Sequence, residues 1–232
     1  MSILRPTLGI VTIGQAPRVD LHDDLSVLLG DGVRLSEMGA LDGLTLEMIE
    51  QRYPIMPGDY VLVSRMQDGQ QVRIGESSLT PLLVAAVERM KRQKPDLIVV
   101  LCTGDLPEFS HDSSILVLSP KRMVQHFFSS LGDELDLTVM SPDEAQVEQT
   151  KARWRDNGYQ VNCVVGSPYL EDGSRATGAM QARELKGSLM YLDCMGYSLA
   201  QCKQVSEISG KNVITPRQII FNTVKLLLSQ NS

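Results

Sequence analysis

The sequence predicts an α/β fold in which parallel sheets are flanked by helices. Short runs rich in apolar residues alternate along the chain with stretches that carry apolar residues at helical spacing. The run Leu97–Leu101 is apolar at every position, which is typical of a strand buried on both faces of a parallel sheet. The second half of the chain repeats this alternation, so we expect two similar lobes.

In the first half, the pattern predicts three strands of a sheet, a hairpin and three helices. The helix that follows the first strand carries Leu21, Leu25 and Leu28 on one face, and Asp68-Gly69 between two apolar runs is a strong hairpin signal. The predicted strands are 8–13, 33–38, 60–66, 71–74 and 97–101, and the predicted helices begin near 17, 45 and 81 and end near 29, 52 and 91.

The second half is predicted to follow the same plan. Its strands are expected at 115–118, 135–140, 160–165 and 188–192, and its helices near 120–130, 142–157, 176–185, 199–209 and 216–228. We expect the last helix to pack back on the first lobe. The predicted first lobe is therefore 1–115 plus 215–232, and the second is 116–214.

Four helix starts are predicted from a hydroxyl residue followed by proline. A hydroxyl side chain is a good N-cap, and proline suits the first helical position because its missing N–H needs no partner there. The four steps are Thr80-Pro81, Ser119-Pro120, Ser141-Pro142 and Thr215-Pro216. Ser141 and Glu144 also have the spacing of a capping box.

Composition and charge exclude several classes of protein. The chain has 232 residues, of which 43% are hydrophobic and 22% charged, with a formal net charge of −6. These proportions exclude collagen, coiled coils and wholesale disorder. No apolar run approaches the ~18 residues of a membrane span, and no basic stripe is present to neutralise phosphates. We therefore expect neither a membrane nor a nucleic acid as a partner.

The four cysteines form no CxxC pair, and the N-terminus has no charged segment followed by an apolar one. This pattern predicts a cytoplasmic protein with reduced thiols. His111, in the loop after Cys102, is a weak functional candidate, and none of the three histidines has metal-ligand spacing. Neither a nucleotide motif nor a metal motif is present, so we expect no cofactor.

Two cysteines stand where parallel sheets bind ligands, directly after the carboxyl end of a strand. They lie in Cys102-Thr-Gly104 and Cys194-Met-Gly196, one in each half of the chain. Backbone N–H groups at such a position favour a thiolate, and a thiolate opposite a thiol could invert a stereocentre without a cofactor. The alternative is that both cysteines fill the core, which is what we expect for Cys163 and Cys202.

Two arginines are candidate partners for a substrate carboxylate. Arg18 follows Pro17 at a predicted helix start, where the backbone already favours anions and a guanidinium fork suits a carboxylate. The alternative is that the Arg18 side chain lies on a solvent-exposed face of the helix. Arg65 interrupts a strand of apolar and small residues, so it either points into a ligand site or pairs with Asp68 or Glu76.

The remaining strand-end residues have weaker signals. Gln15, Thr103 and Ser119 could donate hydrogen bonds to substrate oxygens, although Ser119 could equally be a plain N-cap. Tyr197 either covers the site or packs within its lobe. Asp193 is expected to orient the loop that follows it.

Several segments of the chain resemble the AroM family. They are Thr12-Ile-Gly-Gln-Ala-Pro-Arg18, Gly39-Ala-Leu-Asp-Gly43, Leu62-Val-Ser-Arg-Met-Gln-Asp-Gly69, Leu101-Cys-Thr-Gly104, Ser167-Pro-Tyr169 and Leu192-Asp-Cys-Met-Gly-Tyr197. That family is similar to the aspartate/glutamate racemase superfamily, whose relatives include hydantoin racemase, maleate isomerase and arylmalonate decarboxylase. The resemblance implies two α/β lobes with the active site in the cleft between them. Each lobe would supply one cysteine, usually followed by Thr or Ser. Cys102-Thr103 matches this pattern, whereas Met195 follows the second cysteine.

The resemblance implies a cofactor-independent racemase or isomerase, or a related decarboxylase, that acts on a small carboxylated substrate. Its catalytic residues would be Cys102 and Cys194. The predicted substrate-binding residues are Thr12, Gln15, Pro17, Arg18, Arg65, Thr103, Gly104, Ser119, Met195, Gly196 and Tyr197. The alternatives are a non-catalytic protein that binds a small acid and a thiol redox sensor. A homodimer is one candidate assembly.

Overall fold

A computed structural model describes residues 5–104, 106, 109, 115–132 and 135–229 of the chain. The weak candidate His111 lies outside these residues. The chain divides into two compact units, which we call unit 1 and unit 2. Unit 1 comprises Met1–Lys121 and Ile220–Ser232, and unit 2 comprises Arg122–Ile219.

Unit 1 is built on a parallel sheet with the strand order β2-β1-β5-β6. A separate antiparallel pair, β3 and β4, forms the predicted hairpin. The elements are β1 Thr7–Thr12, α1 Val19–Leu29, β2 Arg34–Gly39, α2 Leu46–Arg52, β3 Val61–Arg65, β4 Gln71–Gly75, α3 Glu76–Lys91, β5 Leu97–Leu101 and β6 Leu116–Leu118.

The core of unit 1 lies between this sheet and α3. Every residue of β5 is buried, as the uninterrupted apolar run predicts. Leu83, Val87 and Met90 of α3 are fully buried in the same apolar cluster. A Cβ on Gly9 of β1 would lie 2.9 Å from the Met90 side chain, so the absence of a side chain there lets helix and sheet approach closely.

Unit 2 contains a second parallel sheet, with the order β10-β9-β7-β8. Its apolar core includes Phe128, Trp154 and Tyr191, which meet edge to face with ring centroids 5.0 to 5.8 Å apart. The elements of the second half are α4 Pro120–Ser129, β7 Leu137–Ser141, a 3-10 helix Glu144–Gln146, α5 Val147–Asp156, β8 Val161–Val165, α6 Ser174–Arg183, β9 Leu189–Leu192, α7 Leu199–Ser209, β10 Asn212–Ile214 and α8 Pro216–Leu228.

The predicted α/β class with parallel sheets is confirmed, but two of the four helix starts are wrong. Helices α4 and α8 do begin at the prolines of Ser119-Pro120 and Thr215-Pro216. In contrast, α3 begins at Glu76, and Pro81 lies inside it. The Thr80 hydroxyl donates to the Glu76 carbonyl one turn earlier (2.9 Å) instead of capping the helix.

The Ser141-Pro142 step also does not begin a helix. Ser141 is the last residue of β7, and its hydroxyl donates to the Asp143 carbonyl at 3.0 Å. Asp143 is the actual cap, since its carboxylate accepts from the Ala145 N–H at 2.9 Å. The predicted capping box with Glu144 is therefore not formed.

Three smaller differences concern α1, β6 and β10. Helix α1 begins at Val19 rather than at Pro17, and Arg18 is its N-cap residue. Strand β6, which we grouped with the second half of the chain, pairs with β5 in the sheet of unit 1. Strand β10, which has three residues, was not predicted because so short a run has no distinctive pattern. Within the described part of the chain, no helix is both long and apolar enough to cross a membrane.

Candidate active site

In unit 1, Cys102 lies in a tight turn directly after β5. Its N–H donates to the Val100 carbonyl two residues earlier at 3.0 Å. The Gly104 N–H donates to the Cys102 Sγ at 3.3 Å. Cys102 is only 6% exposed, so the sulfur is held by its own backbone at the carboxyl end of a central strand.

In unit 2, Cys194 lies in a turn of the same construction. Asp193 separates it from the end of β9, and its N–H donates to the Leu192 carbonyl at 2.9 Å. The Gly196 N–H donates to the Cys194 Sγ at 3.3 Å. The two turns therefore present their sulfurs in the same way, each with a glycine N–H directed at it.

Both turns require the glycine that follows the cysteine by two residues. A Cβ on Gly104 would lie 2.8 Å from the Leu62 side chain, and one on Gly196 would lie 2.4 Å from the Tyr169 Oη. These separations are shorter than van der Waals contact. The glycines predicted as binding residues therefore allow close packing over each turn.

Tyr169 is a candidate site residue that was not predicted from the sequence. Its hydroxyl lies 3.7 Å from the Cys194 Sγ, within hydrogen-bond range for sulfur. It follows strand β8 in the loop Ser167-Pro-Tyr169, and its N–H donates to the Ser167 hydroxyl at 3.1 Å. The only signal for it was that this string is one of those that resemble the AroM family.

Asp193 precedes the unit 2 cysteine and is anchored on both sides. Its N–H donates to the Met140 carbonyl of β7 at 2.9 Å. Its carboxylate, with a side chain 3% exposed, forms an ion pair with Arg153 of α5. The expected orienting role of Asp193 thus has a physical basis in two contacts to neighbouring elements.

Arg217, at the second position of α8, fixes the same turn from another side. Its side chain is fully buried. The Nε donates to the Met195 carbonyl at 2.7 Å, and an Nη donates to the Gly196 carbonyl at 2.8 Å. The sequence offered no signal for this role, because the arginine lies 23 residues after Cys194 in a separate helix.

Tyr197 is a packing residue in unit 2. Its ring is fully buried, and its hydroxyl donates to the Gly166 carbonyl at the end of β8. Burial raises the pKa of this hydroxyl well above its ordinary value of 10.0, and the nearby Cys194 and Asp193 raise it further. Tyr197 therefore stays protonated and acts as a hydrogen-bond donor.

At the end of β1, Arg18 and Thr12 form one hydrogen-bonded group. Arg18 is 2% exposed, so the solvated alternative is wrong. Its fork holds the Asp20 carboxylate with bonds of 2.8 and 2.7 Å, and a third nitrogen donates to the Thr12 Oγ1 at 3.1 Å. A substrate carboxylate would compete with Asp20 for this fork.

Gln15 ties the loop after β1 to two other loops. Its side-chain nitrogen donates to the carbonyls of Leu41 and Leu44, and its oxygen accepts from the Gln67 N–H at 2.9 Å. Its own N–H donates to the Arg65 carbonyl at 3.1 Å. The Gln15 amide is thus a structural cross-link in unit 1.

The other predicted binding residues have varied surroundings. Thr103 is buried beside Cys102 and Ser119 is half-buried before α4, whereas Pro17 is exposed after a cis peptide bond from Ala16. The Arg65 side chain lies over the hairpin turn, because a Cβ on Gly69 would be 2.9 Å from its Nη2.

The two remaining cysteines differ from the strand-end pair. The Cys202 thiol donates to the Val213 carbonyl at 3.3 Å, a structural role as expected. Cys163 of β8 is half-buried. Burial raises the pKa of its thiol from 9.0 to about 11, and this rise prevails over the opposing charge of Lys151.

We expect Cys163 to react slowly with iodoacetamide. At pH 8 a thiol with a pKa of about 11 is ionised in about one molecule in a thousand, and only the thiolate is an efficient nucleophile. Its alkylation rate should rise about tenfold for each pH unit up to pH 11. Peptide mapping by mass spectrometry measures this, with the same peptide in the urea-unfolded chain as the control. Rapid labelling of folded Cys163 at pH 8 would contradict the expectation.

Comparisons with known proteins bear on the whole chain. The pattern of the AroM protein family matches residues 8–228. The chain belongs to the AroM family. No curated protein sequence matches this AroM-family chain significantly.

Solved structures share the fold of the AroM-family chain. A glutamate racemase from Bacillus anthracis superposes with a TM-score of 0.62 at 13% identity, over 98% of this chain and 83% of the racemase. A maleate cis-trans isomerase from Nocardia farcinica gives 0.60 at 15% identity, over 97% and 92%. An allantoin racemase from Klebsiella pneumoniae gives 0.58 at 11% identity, over 97% and 88%. The expected racemase-like fold is confirmed, and at these identities the likeness shows the fold alone.

Proposed function

We propose that this chain is a cofactor-independent racemase or isomerase that moves a proton at the carbon beside a carboxylate. The observation that carries the proposal is the pair of matched turns at Cys102 and Cys194. Each presents a buried sulfur at the end of a strand, and each directs a glycine N–H at that sulfur. A cysteine that only filled the core would not need this turn, so the repetition of the turn at two separate strand ends favours a role for the sulfurs.

The proposed reaction uses the two thiols as acid and base. One cysteine, as the thiolate, removes the α-proton and becomes a thiol, and the electron pair of the broken C–H bond moves into the substrate carboxylate as an enediolate. The other cysteine, as the thiol, gives its proton to the opposite face of the carbon and becomes the thiolate. The net charge of the substrate is therefore the same before and after the reaction. Before the next turnover, the first cysteine loses its proton to solvent and the second takes one up, which restores the starting protonation states.

The polar groups of unit 1 support binding of a carboxylate. The Thr12 Oγ1 accepts hydrogen bonds from Arg18 and from the Gly14 N–H (3.2 Å), so its own proton is oriented away from both and can be donated. The buried Arg18 guanidinium, whose charge is paired with the Asp20 carboxylate, holds the Thr12 oxygen in place. Anion stabilisation matters in this reaction because it lowers the barrier of proton removal. We therefore assign Arg18 to the orientation of Thr12.

The choice of substrates to test follows from the enzymes that share the fold. Aspartate and glutamate racemases, maleate isomerase and arylmalonate decarboxylase all have this architecture. We propose to incubate the protein in D2O with both enantiomers of aspartate and glutamate, with maleate and with phenylmalonate. Proton NMR then follows exchange of the α-proton, isomerisation or loss of CO2.

Proton exchange or inversion at the α-carbon of aspartate or glutamate, or loss of CO2 from phenylmalonate, that is lost after alkylation of Cys102 or Cys194 supports the proposal. Isomerisation of maleate, which has no proton on a tetrahedral α-carbon, supports an isomerase but contradicts the two-thiol proton transfer. Absence of turnover with every compound, together with unhindered alkylation of both thiols in the presence of each, overturns it.

A non-catalytic small-acid-binding protein is the second candidate. One observation favours it over catalysis: Met195 carries no hydroxyl beside Cys194. Protection of a thiol by a panel compound without any change in that compound would favour this candidate.

A further inference from the structure

The hairpin of unit 1 covers the strand ends that carry its candidate site. Leu62 of β3 packs against Gly104, where a Cβ would lie 2.8 Å from the leucine side chain. Ser64 packs against Gly14, where a Cβ would lie 2.5 Å from the Ser64 Oγ. Residues two apart on a strand share a face, so one face of β3 lies across the loops that follow β5 and β1.

The hydroxyl of Ser64 has no hydrogen-bond partner among the residues that the structure describes. Ser64 is 1% exposed, and its buried Oγ forms no hydrogen bond with any of those residues. An unpaired buried hydroxyl destabilises the folded state, and few such groups persist in native proteins. The hydrogen-bonding capacity of this hydroxyl is thus unused among the described residues, at a position beside the end of β1.

The polar side chains at the end of β1 do not supply a partner for Ser64, because each already has hydrogen-bond partners of its own. The Gln15 amide holds three backbone groups, and the Arg18 fork holds Asp20. The Thr12 Oγ1 accepts from Arg18 and Gly14. Rearrangement of the Gln15 or Arg18 side chain toward Ser64 would break hydrogen bonds that the structure shows formed.

We propose that the Ser64 hydroxyl donates a hydrogen bond to an oxygen of a bound small carboxylic acid, which makes β3 a ligand-binding element. The inference rests on the proposed function, since it places the acid at the strand ends of unit 1. It adds a binding residue from the hairpin, which is separate from the four-stranded parallel sheet of unit 1. A hydroxyl suits a carboxylate oxygen because it can orient its proton toward either lone pair.

The test compares Ser64→Ala with Thr138→Val. Thr138 in β7 is a matched control, since its Oγ1 is also buried with no partner among the described residues but lies within the sheet of unit 2. Neither change removes a hydrogen bond that the structure shows, so both variants should keep or raise the melting temperature. The ligand readout is protection of Cys102 from iodoacetamide by maleate, phenylmalonate, aspartate and glutamate.

In Ser64→Ala, we expect the same protection of Cys102 from iodoacetamide to need at least a tenfold higher concentration of the acid. In Thr138→Val, the concentration needed should match that of the wild type. Equal protection in all three proteins overturns this inference alone and leaves the proposed function standing. A melting temperature that falls in Ser64→Ala but not in Thr138→Val shows an internal role for the hydroxyl and also overturns it. Lack of protection of Cys102 by every acid in the wild type overturns this inference. If turnover of every compound and protection of Cys194 are also absent, the proposed function is overturned as well.

Discussion

Replacing either strand-end cysteine with serine is expected to abolish turnover while leaving the fold intact. Serine keeps the size of the side chain and can still accept the N–H of Gly104 or Gly196. A hydroxyl is a far weaker acid than a thiol, so it does not form the anion that removes a proton at neutral pH. General acid–base catalysis by one group contributes about 10²–10⁴-fold to a rate, and each single variant should lose at least that much.

The controls for this experiment are Cys163→Ser and Cys202→Ser. Cys163 lies within β8, and the Cys202 thiol donates to the Val213 carbonyl, so neither change should reduce the rate by more than a few-fold. Exchange of the α-proton in D2O gives the rates, and circular dichroism shows that each variant is folded. Wild-type turnover in either Cys102→Ser or Cys194→Ser would refute the two-thiol mechanism.

The second large effect is expected on stability, from Arg217→Leu. This change removes the donors of two buried carbonyls, those of Met195 and Gly196, and an unmade hydrogen bond to a buried group costs about 1–3 kcal/mol. We expect the free energy of unfolding to fall on the order of 3 kcal/mol or more. Because the Gly196 N–H donates to the Cys194 Sγ, the variant should also lose the ordered turn.

Urea unfolding followed by tryptophan fluorescence measures this effect, since Trp154 is the single tryptophan of the chain and is buried in unit 2. Arg217→Lys keeps the charge and part of the donor set, so its loss should be smaller. Arg155→Leu, at an exposed arginine of α5, controls for replacement of arginine by an apolar side chain. A loss for Arg217→Leu no larger than for Arg155→Leu would show that the guanidinium does not hold the turn.

The sequence by itself determined the α/β class, most of the elements and the two cysteine turns. These depend on local patterns: apolar runs of strand length such as Leu97–Leu101, amphipathic stretches such as Leu199–Ser209, and a glycine two residues after each strand-end cysteine. Such patterns act between residues near in sequence, so they can be recognised without knowing where the chain folds back.

Only the tertiary structure decided which side chains bind one another. Thr80-Pro81 has the local form of a helix start, yet Gly75 at the end of the hairpin places the start of α3 at Glu76. Arg18 suits an external carboxylate, but Asp20 occupies its fork; Gln15 suits a ligand, but three backbone groups take its amide.

The dependence on tertiary packing also explains why three residues of the candidate site had no clear signal in the sequence. Arg217 and Tyr169 reach the turn at Cys194 from other elements, and the packing of β3 on the end of β1 leaves Ser64 with no partner among the described residues. A hydrogen bond between groups distant in sequence forms only when the donor–acceptor separation falls within a range of a few tenths of an ångström. Those distances are set by the packing of whole elements, which no run of neighbouring residues encodes.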